Sequence, residues 1–175
     1  MFLKTQSALY VILQHLQTKI KPDLEMVDLV NELIINNLIL EEILSHCKAE
    51  FPYEACGILA GKDNVITKVY KAKNIERTSY SYFMDSREQY KIMKEIKDNN
   101  LKMICIYHSH PYSVPYPSPK DISLAFYEDI FYMIIGFQHL NDNESTGVRP
   151  LIKVFSIKNN NVNEIAYKIL DYEKL

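Results

Sequence analysis

Three short runs of almost unbroken apolar residues limit what this chain can fold into: "CGILAG" (56–61), "LKMICIYHSH" (101–110) and "IFYMIIGF" (130–137). Runs of this length, bounded by Gly, Pro or polar turns, fit strands buried on both faces, and such strands lie inside a sheet covered by helices. The run 130–137 is the most uniformly apolar and is expected at the centre of the sheet. Helical spacing appears between the runs. Residues 37–51 put Leu40, Ile43, Leu44 and Cys47 on one face, with Asn37 as N-cap and Pro52 as the stop. Residues 85–100 start at Asp85 or Ser86, carry Glu88 in the first turn, and offer Tyr90, Met93 and Ile96 as an inner stripe.

Further strands are expected at 32–35, 64–74, 79–84 and 147–158, with 56–61 and 64–74 forming a hairpin that turns at Lys62-Asp63. A turn at Asn159-Asn160 leads into 161–170, an extended segment with a helical end as the alternative. The resulting fold class is α/β: one mixed β-sheet flanked by helices. The length, 175 residues, suits one domain with a modest appendage. Residues 1–30 are read as an N-terminal extension and 31–175 as the domain. Within the extension, Leu9, Ile12, Leu13, Leu16 and Ile20 predict an amphipathic helix over 4–20 that Pro22 ends. Its apolar face either packs on the domain or meets a partner.

Charge and cysteine content exclude several function classes. The formal net charge of -2 gives no electrostatic reason for a nucleic-acid or anionic-membrane partner. No apolar run approaches the roughly 20 residues that cross a bilayer. Gln14, His15 and Gln17 interrupt the first apolar patch and no small-residue cleavage site follows, so a signal peptide is not expected. Three cysteines, an odd number without regular spacing, argue against a disulfide framework and for a reducing cytoplasm.

The chemistry concentrates in "YHSHPYSVPYPSPKD" (107–121). His108 and His110 are two apart at the end of a strand, so both rings leave the same face and can converge on one metal. Pro111, Pro115 and Pro117 stiffen the loop that follows. "SPKD" is a helix start, with Ser118 as N-cap, Pro119 at N1 and Asp121 at N3, which turns the Asp121 carboxylate back toward the histidines. Two His and one carboxylate form a zinc set with a fourth position open for water. Spacing alone leaves a plainer reading open, because an isolated His-x-His pair also arises by chance and Ser-x-x-Asp is an ordinary cap. A hydrolase also needs a proton carrier, and Glu54 is the candidate, since "FPYEACGILAG" sets it at the entrance of a buried strand. An exposed loop Glu is the alternative.

His108-Ser109-His110-Pro111, six residues, Ser118, two residues and Asp121, with "PYEACGILAG" upstream, resembles the JAMM (MPN+) metalloprotease family, above all its small bacterial members. The resemblance spans about residues 31–170. It implies a cytidine-deaminase-like fold and a zinc-dependent peptidase or isopeptidase holding one zinc ion per chain. It further implies that His108, His110 and Asp121 bind zinc, that Glu54 acts as general base and then general acid, and that Ser118 donates to the oxyanion. Ser109, on the opposite strand face, is expected to support the site. The implied substrate is the C-terminal tail of a ubiquitin-like or sulfur-carrier protein, and a strand-like tail could pair along a sheet edge. The loop is bulkier than is usual in the family at Tyr112, Pro115 and Tyr116.

Three other readings compete. A non-catalytic scaffold or interaction module of the same fold would usually have lost the ligands, and none is missing here. The related bacterial domain linked to DNA repair typically carries Asn where Ser109 stands. Cys56 as a nucleophile competes with the common case of a small buried thiol.

Overall fold

A computed structural model of the chain describes residues 32–137 and 150–171. The expected helix over 4–20 and the 1–30 extension lie outside the described residues. Eleven elements follow in order. They are β1 (Leu33–Asn36), α1 (Asn37–Glu50), β2 (Cys56–Lys62), β3 (Val65–Ala72), α2 (Ser86–Asp98) and β4 (Lys102–His110), then α3 (Pro119–Ser123), β5 (Phe131–Gly136), β6 (Leu151–Lys158), β7 (Asn161–Ile165) and β8 (Tyr167–Leu170).

The strands form one mixed sheet in the order β7-β6-β5-β4-β2-β3-β1-β8. β2 and β3 are the expected antiparallel hairpin, although the turn falls at Asp63-Asn64, where Asp63 takes φ 52°. β4 runs antiparallel to β2 and parallel to β5. The apolar run 130–137 is an interior strand, as its composition demands. β7 and β8 stand at opposite ends of the sheet order, yet only Ala166 separates them in the chain. A two-residue step spans at most about 7 Å, so the two ends of the sheet are drawn together and the sheet curls.

Alternate residues of the interior strands feed two cores. Leu59, Cys105, Tyr107, Met133 and Ile135 pack with the α1 residues Leu40, Ile43, Leu44 and Cys47. Ile58, Ile106, Tyr132 and Ile134 pack on the other face with Ile92 and Ile96 of α2. Each such aliphatic side chain contributes about 1.5–3 kcal/mol on full burial. The helices therefore cover opposite faces of the sheet.

Several expectations are corrected. The N-cap of α1 is Asn36, whose side chain accepts from Ile39 N at 2.8 Å, and not Asn37. The inner stripe of α2 is Ile92 and Ile96, with Met93 at its flank, whereas Tyr90 points to solvent. Residues 79–84 form no strand; only an isolated bridge joins Asn74 to Met84. The helix expected over "PKDISLAFYED" (119–129) stops at Ser123, because none of its residues is buried and nothing rewards a further turn. Residues 161–170 stay extended through two strands and do not turn helical.

Candidate metal centre and active site

Strand β4 presents His108 and His110 on the face of the sheet that α2 covers, at the strand's C-terminal end. His108 lies between Cys56 of β2 and Ile134 of β5, and His110 has Gly136 of β5 on one side. Both rings are buried, and their Nε2 atoms are 3.1 Å apart. His110 Nδ1 is 2.9 Å from the carbonyl oxygen of Val114. A carbonyl can only accept, so Nδ1 carries the hydrogen and Nε2 faces the site. His108 Nδ1 is buried without a protein partner, and the ring stacks instead on Tyr82, with centroids 4.6 Å apart and planes at 30°.

The helix start reads as the sequence predicts. Ser118 caps α3 in a reciprocal box, with Asp121 N donating to Ser118 Oγ at 3.2 Å and Ser118 N donating to Asp121 Oδ2 at 2.7 Å. That oxygen also lies 3.5 Å from His108 Nε2 and 3.8 Å from His110 Nε2. The box thus aims the carboxylate at the imidazole pair.

Glu54 arrives from the segment before β2 and is 2% exposed. Its Oε1 is 4.0 Å from His110 Nε2, and its Oε2 is buried without a partner. Ser109 lies on the opposite face, as expected. It fastens the neighbouring segment to β4 twice: Ser109 N donates to Ala55 O at 3.0 Å, and Ala55 N donates to Ser109 Oγ at 2.8 Å. The structure brings Glu54, His108, His110 and Asp121 together, with Ser118 at the cap and Ser109 behind.

Proton placement decides whether these groups suit a divalent ion. Burial lowers the His108 pKa, favouring the neutral ring, although the bond to Asp121 pulls the other way. Burial works against ionisation of Asp121 too, but its hydrogen bonds with both histidines and Ser118 outweigh this and hold the carboxyl well below the usual range. Burial also opposes the charged form of His110, yet the bonds to Asp121 and Val114 raise its pKa overall. A cation held there would take the place of that proton. Burial pushes the Glu54 carboxyl up to about 8, with the His110 charge pulling the other way. Ligand atoms of Glu54, His108 and His110 lie within 4.8 Å of one another. Imidazole nitrogens, an ionised carboxylate and orphaned polar atoms beside them fit zinc. The two carboxylates differ in character: hydrogen bonds favour the charged form of Asp121, whereas burial brings the Glu54 carboxyl toward neutral pH, where an acid–base group can both take up and release a proton.

Three contributors carry no sequence signal. Asn74 grips the main chain of Glu54, Tyr82 stacks on His108, and Val114 lends His110 a carbonyl. The bulky loop is also better defined. Pro115 is buried against Gly136, where an added Cβ would come within 2.6 Å of Pro115 Cδ. Tyr112 and Tyr116 are half exposed, Tyr112 against Phe51 and Tyr116 edge-on to Phe155.

Known proteins agree with this architecture. The family described as prokaryotic homologs of the JAB domain matches residues 37–148. The CysO-cysteine peptidase of Mycobacterium tuberculosis is 30% identical over 119 residues, covering 67% of this chain and 82% of that protein. The desampylase of Pyrococcus furiosus is 38% identical over 69 residues, 39% of this chain and 49% of that one. A solution structure of a Desulfitobacterium hafniense protein is 30% identical, with a TM-score of 0.69 over 79% of this chain and 93% of its own. With its fold, its paired histidines and these likenesses in agreement, the chain belongs to the prokaryotic JAB-domain (JAMM/MPN) family.

Proposed function

We propose that this chain is a zinc-dependent metallopeptidase that hydrolyses a peptide or isopeptide bond at the C-terminal tail of a ubiquitin-like or sulfur-carrier protein. One observation carries the reading: two buried Nε2 atoms 3.1 Å apart, with the Asp121 carboxylate at 3.5 and 3.8 Å and Glu54 at 4.0 Å. His108, His110 and Asp121 would hold one zinc ion. Bound there, the ion supplies Lewis acidity, polarising the scissile carbonyl and acidifying a water molecule.

The chain's own groups do the rest. Glu54 Oε1 accepts a proton from the attacking water and passes it to the leaving amine. Its buried carboxylate, whose Oε2 has no partner, suits both tasks, because burial raises its pKa toward neutrality. Ser118 Oγ accepts from Asp121 N, which leaves its own hydrogen to donate to the charge developing on the carbonyl oxygen. Ser109 keeps Ala55, and through it Glu54, against β4. The substrate class draws on the relatives, one a CysO-cysteine peptidase and one a desampylase. A cytoplasmic setting suits the three cysteines, which are all free thiols.

The test incubates zinc-loaded protein, with and without chelator, with ubiquitin-like carrier proteins bearing C-terminal extensions, and follows carrier mass. Trimming that chelator stops is the expected result. Trimming that chelator leaves untouched removes the metal from the mechanism. A protein that holds zinc yet trims nothing favours the scaffold reading.

A further inference from the structure

Asn74 is a buried polar side chain whose amide is fully used. Its Nδ2 donates to Glu54 O at 2.9 Å and to Ser81 O at 3.2 Å. Its Oδ1 accepts from Glu76 N at 3.0 Å and from Phe83 N at 3.2 Å. Two donors and two acceptors exhaust what an amide can offer, and the pattern fixes which end is nitrogen. These bonds organise the loop 75–83, whose neck is closed by the Asn74–Met84 bridge and by Ile75 N donating to Phe83 O at 3.0 Å.

Three of the contacts that leave this loop reach different segments of the site. Thr78 O accepts from Glu54 N at 2.9 Å. The Tyr82 ring lies on His108. Glu76 pairs with Lys120, the residue before Asp121, at 2.5 and 2.6 Å. Glu54 is consequently held at its main-chain N–H by Thr78 and at its carbonyl by Asn74, while its Oε2 has no partner. Its carboxylate takes its position from the main chain. The loop has little core of its own to fix it, since Ile75, Tyr80 and Phe83 are exposed. The amide of Asn74 bonds Glu54 directly and reaches His108 through the loop that carries Tyr82.

We propose that Asn74 is a positioning residue, which through the Glu54 main chain and the loop carrying Tyr82 places both the Glu54 carboxylate and the His108 ring. The inference rests on the site reading above and adds to it a residue that touches neither metal nor substrate.

Asn74→Asp tests it. The change keeps the size and the acceptors but sets an oxygen against the carbonyls of Glu54 and Ser81. The variant should lose kcat by about 10–100-fold, the usual effect of removing a group that orients a ligand, with KM unchanged. In the metal-free protein the His108 ring resonances should move while those of His46 stay, and zinc affinity should fall. Wild-type kcat with unmoved His108 resonances overturns the proposal, even where the variant is less stable. Where Asn74→Asp does not fold, Tyr82→Phe and Tyr82→Leu decide. The Phe variant retains zinc affinity and the Leu variant loses it, and equal behaviour of the two overturns the proposal. Should wild-type protein trim no carrier, the peptidase reading falls separately, and the His108 resonances and zinc affinity still judge Asn74.

Discussion

Replacing Gly136 by alanine should loosen the metal centre from behind. Gly136 ends β5 beside His110, and the proline loop lies directly on it. A Cβ there would come within 2.6 Å of Pro115 Cδ, 2.9 Å of Pro115 N and 3.0 Å of Ser113 O. Two of those atoms are main chain, so no side-chain rotation relieves the clash, and the loop has to lift. Overpacking of this kind costs about 1–3 kcal/mol. At roughly 3 °C per kcal/mol for a domain of this size, Tm should fall by roughly 3–10 °C. Val114, between Ser113 and Pro115, supplies the carbonyl that accepts from His110 Nδ1, and lifting the loop stretches that bond. Losing a partner that orients a metal-binding His costs about 10–100-fold in affinity. The assay is thermal unfolding of metal-free protein beside a zinc titration against a chromophoric chelator. A Gly136→Ala protein with wild-type Tm and wild-type zinc affinity would refute the reasoning, since the loop would then be neither packed on Gly136 nor needed by His110.

Glu54→Gln should bind zinc like the wild type and turn over no substrate, because the amide cannot carry the proton; cleavage at a normal rate by this variant would remove Glu54 from the mechanism. Asp121→Ala should weaken zinc binding and, by breaking the capping box, cost about 0.5–2 kcal/mol of stability; unchanged zinc content after dialysis would end its ligand role. Thiol alkylation of the folded protein should leave trimming intact while chelator stops it. Cys47, Cys56 and Cys105 are all buried, and burial pushes the Cys47 thiol up to about 12 and the other two higher still. Inactivation at the rate of a single alkylation would revive Cys56 as nucleophile.

The legible parts of this protein were those governed by a fixed period or a local cap. His108 and His110 share a face because strand side chains alternate, whatever surrounds them. Asp121 faces them because Ser-Pro-x-Asp builds its own capping box. Less legible were choices settled by tertiary contacts. Asn36 and Asn37 are equally good caps, and the end of β1 selects Asn36. Tyr90 or Ile92 could each have led the inner stripe of α2, and the position of the sheet turns Ile92 inward. The alternation of "SYSYFM" (79–84) reads as a strand, but Thr78 Oγ1 accepts from Ser81 N at 3.1 Å and donates to Ser81 O at 2.9 Å, a local turn that competes with any ladder. Asn74 sits at the end of an alternating segment, and its four hydrogen bonds reach across a loop whose path periodicity does not reveal.

The curl of the sheet bears on how a substrate tail could approach. β4 has β5, β6 and β7 on one side and β2, β3, β1 and β8 on the other. Measured along the sheet, the nearer outer edge is three strand spacings from His108, roughly 14 Å. β7 and β8, which own those edges, are successive lengths of one extended segment that gathers the two sides together. An extended tail that added itself to the β7 edge would need about four or five further residues to bring its scissile bond to Glu54. On the proposed activity, a tail that reaches Glu54 across the C-terminal end of β4 passes Tyr112 and Tyr116, both half exposed, so these two rings are placed to meet the residues next to the scissile bond.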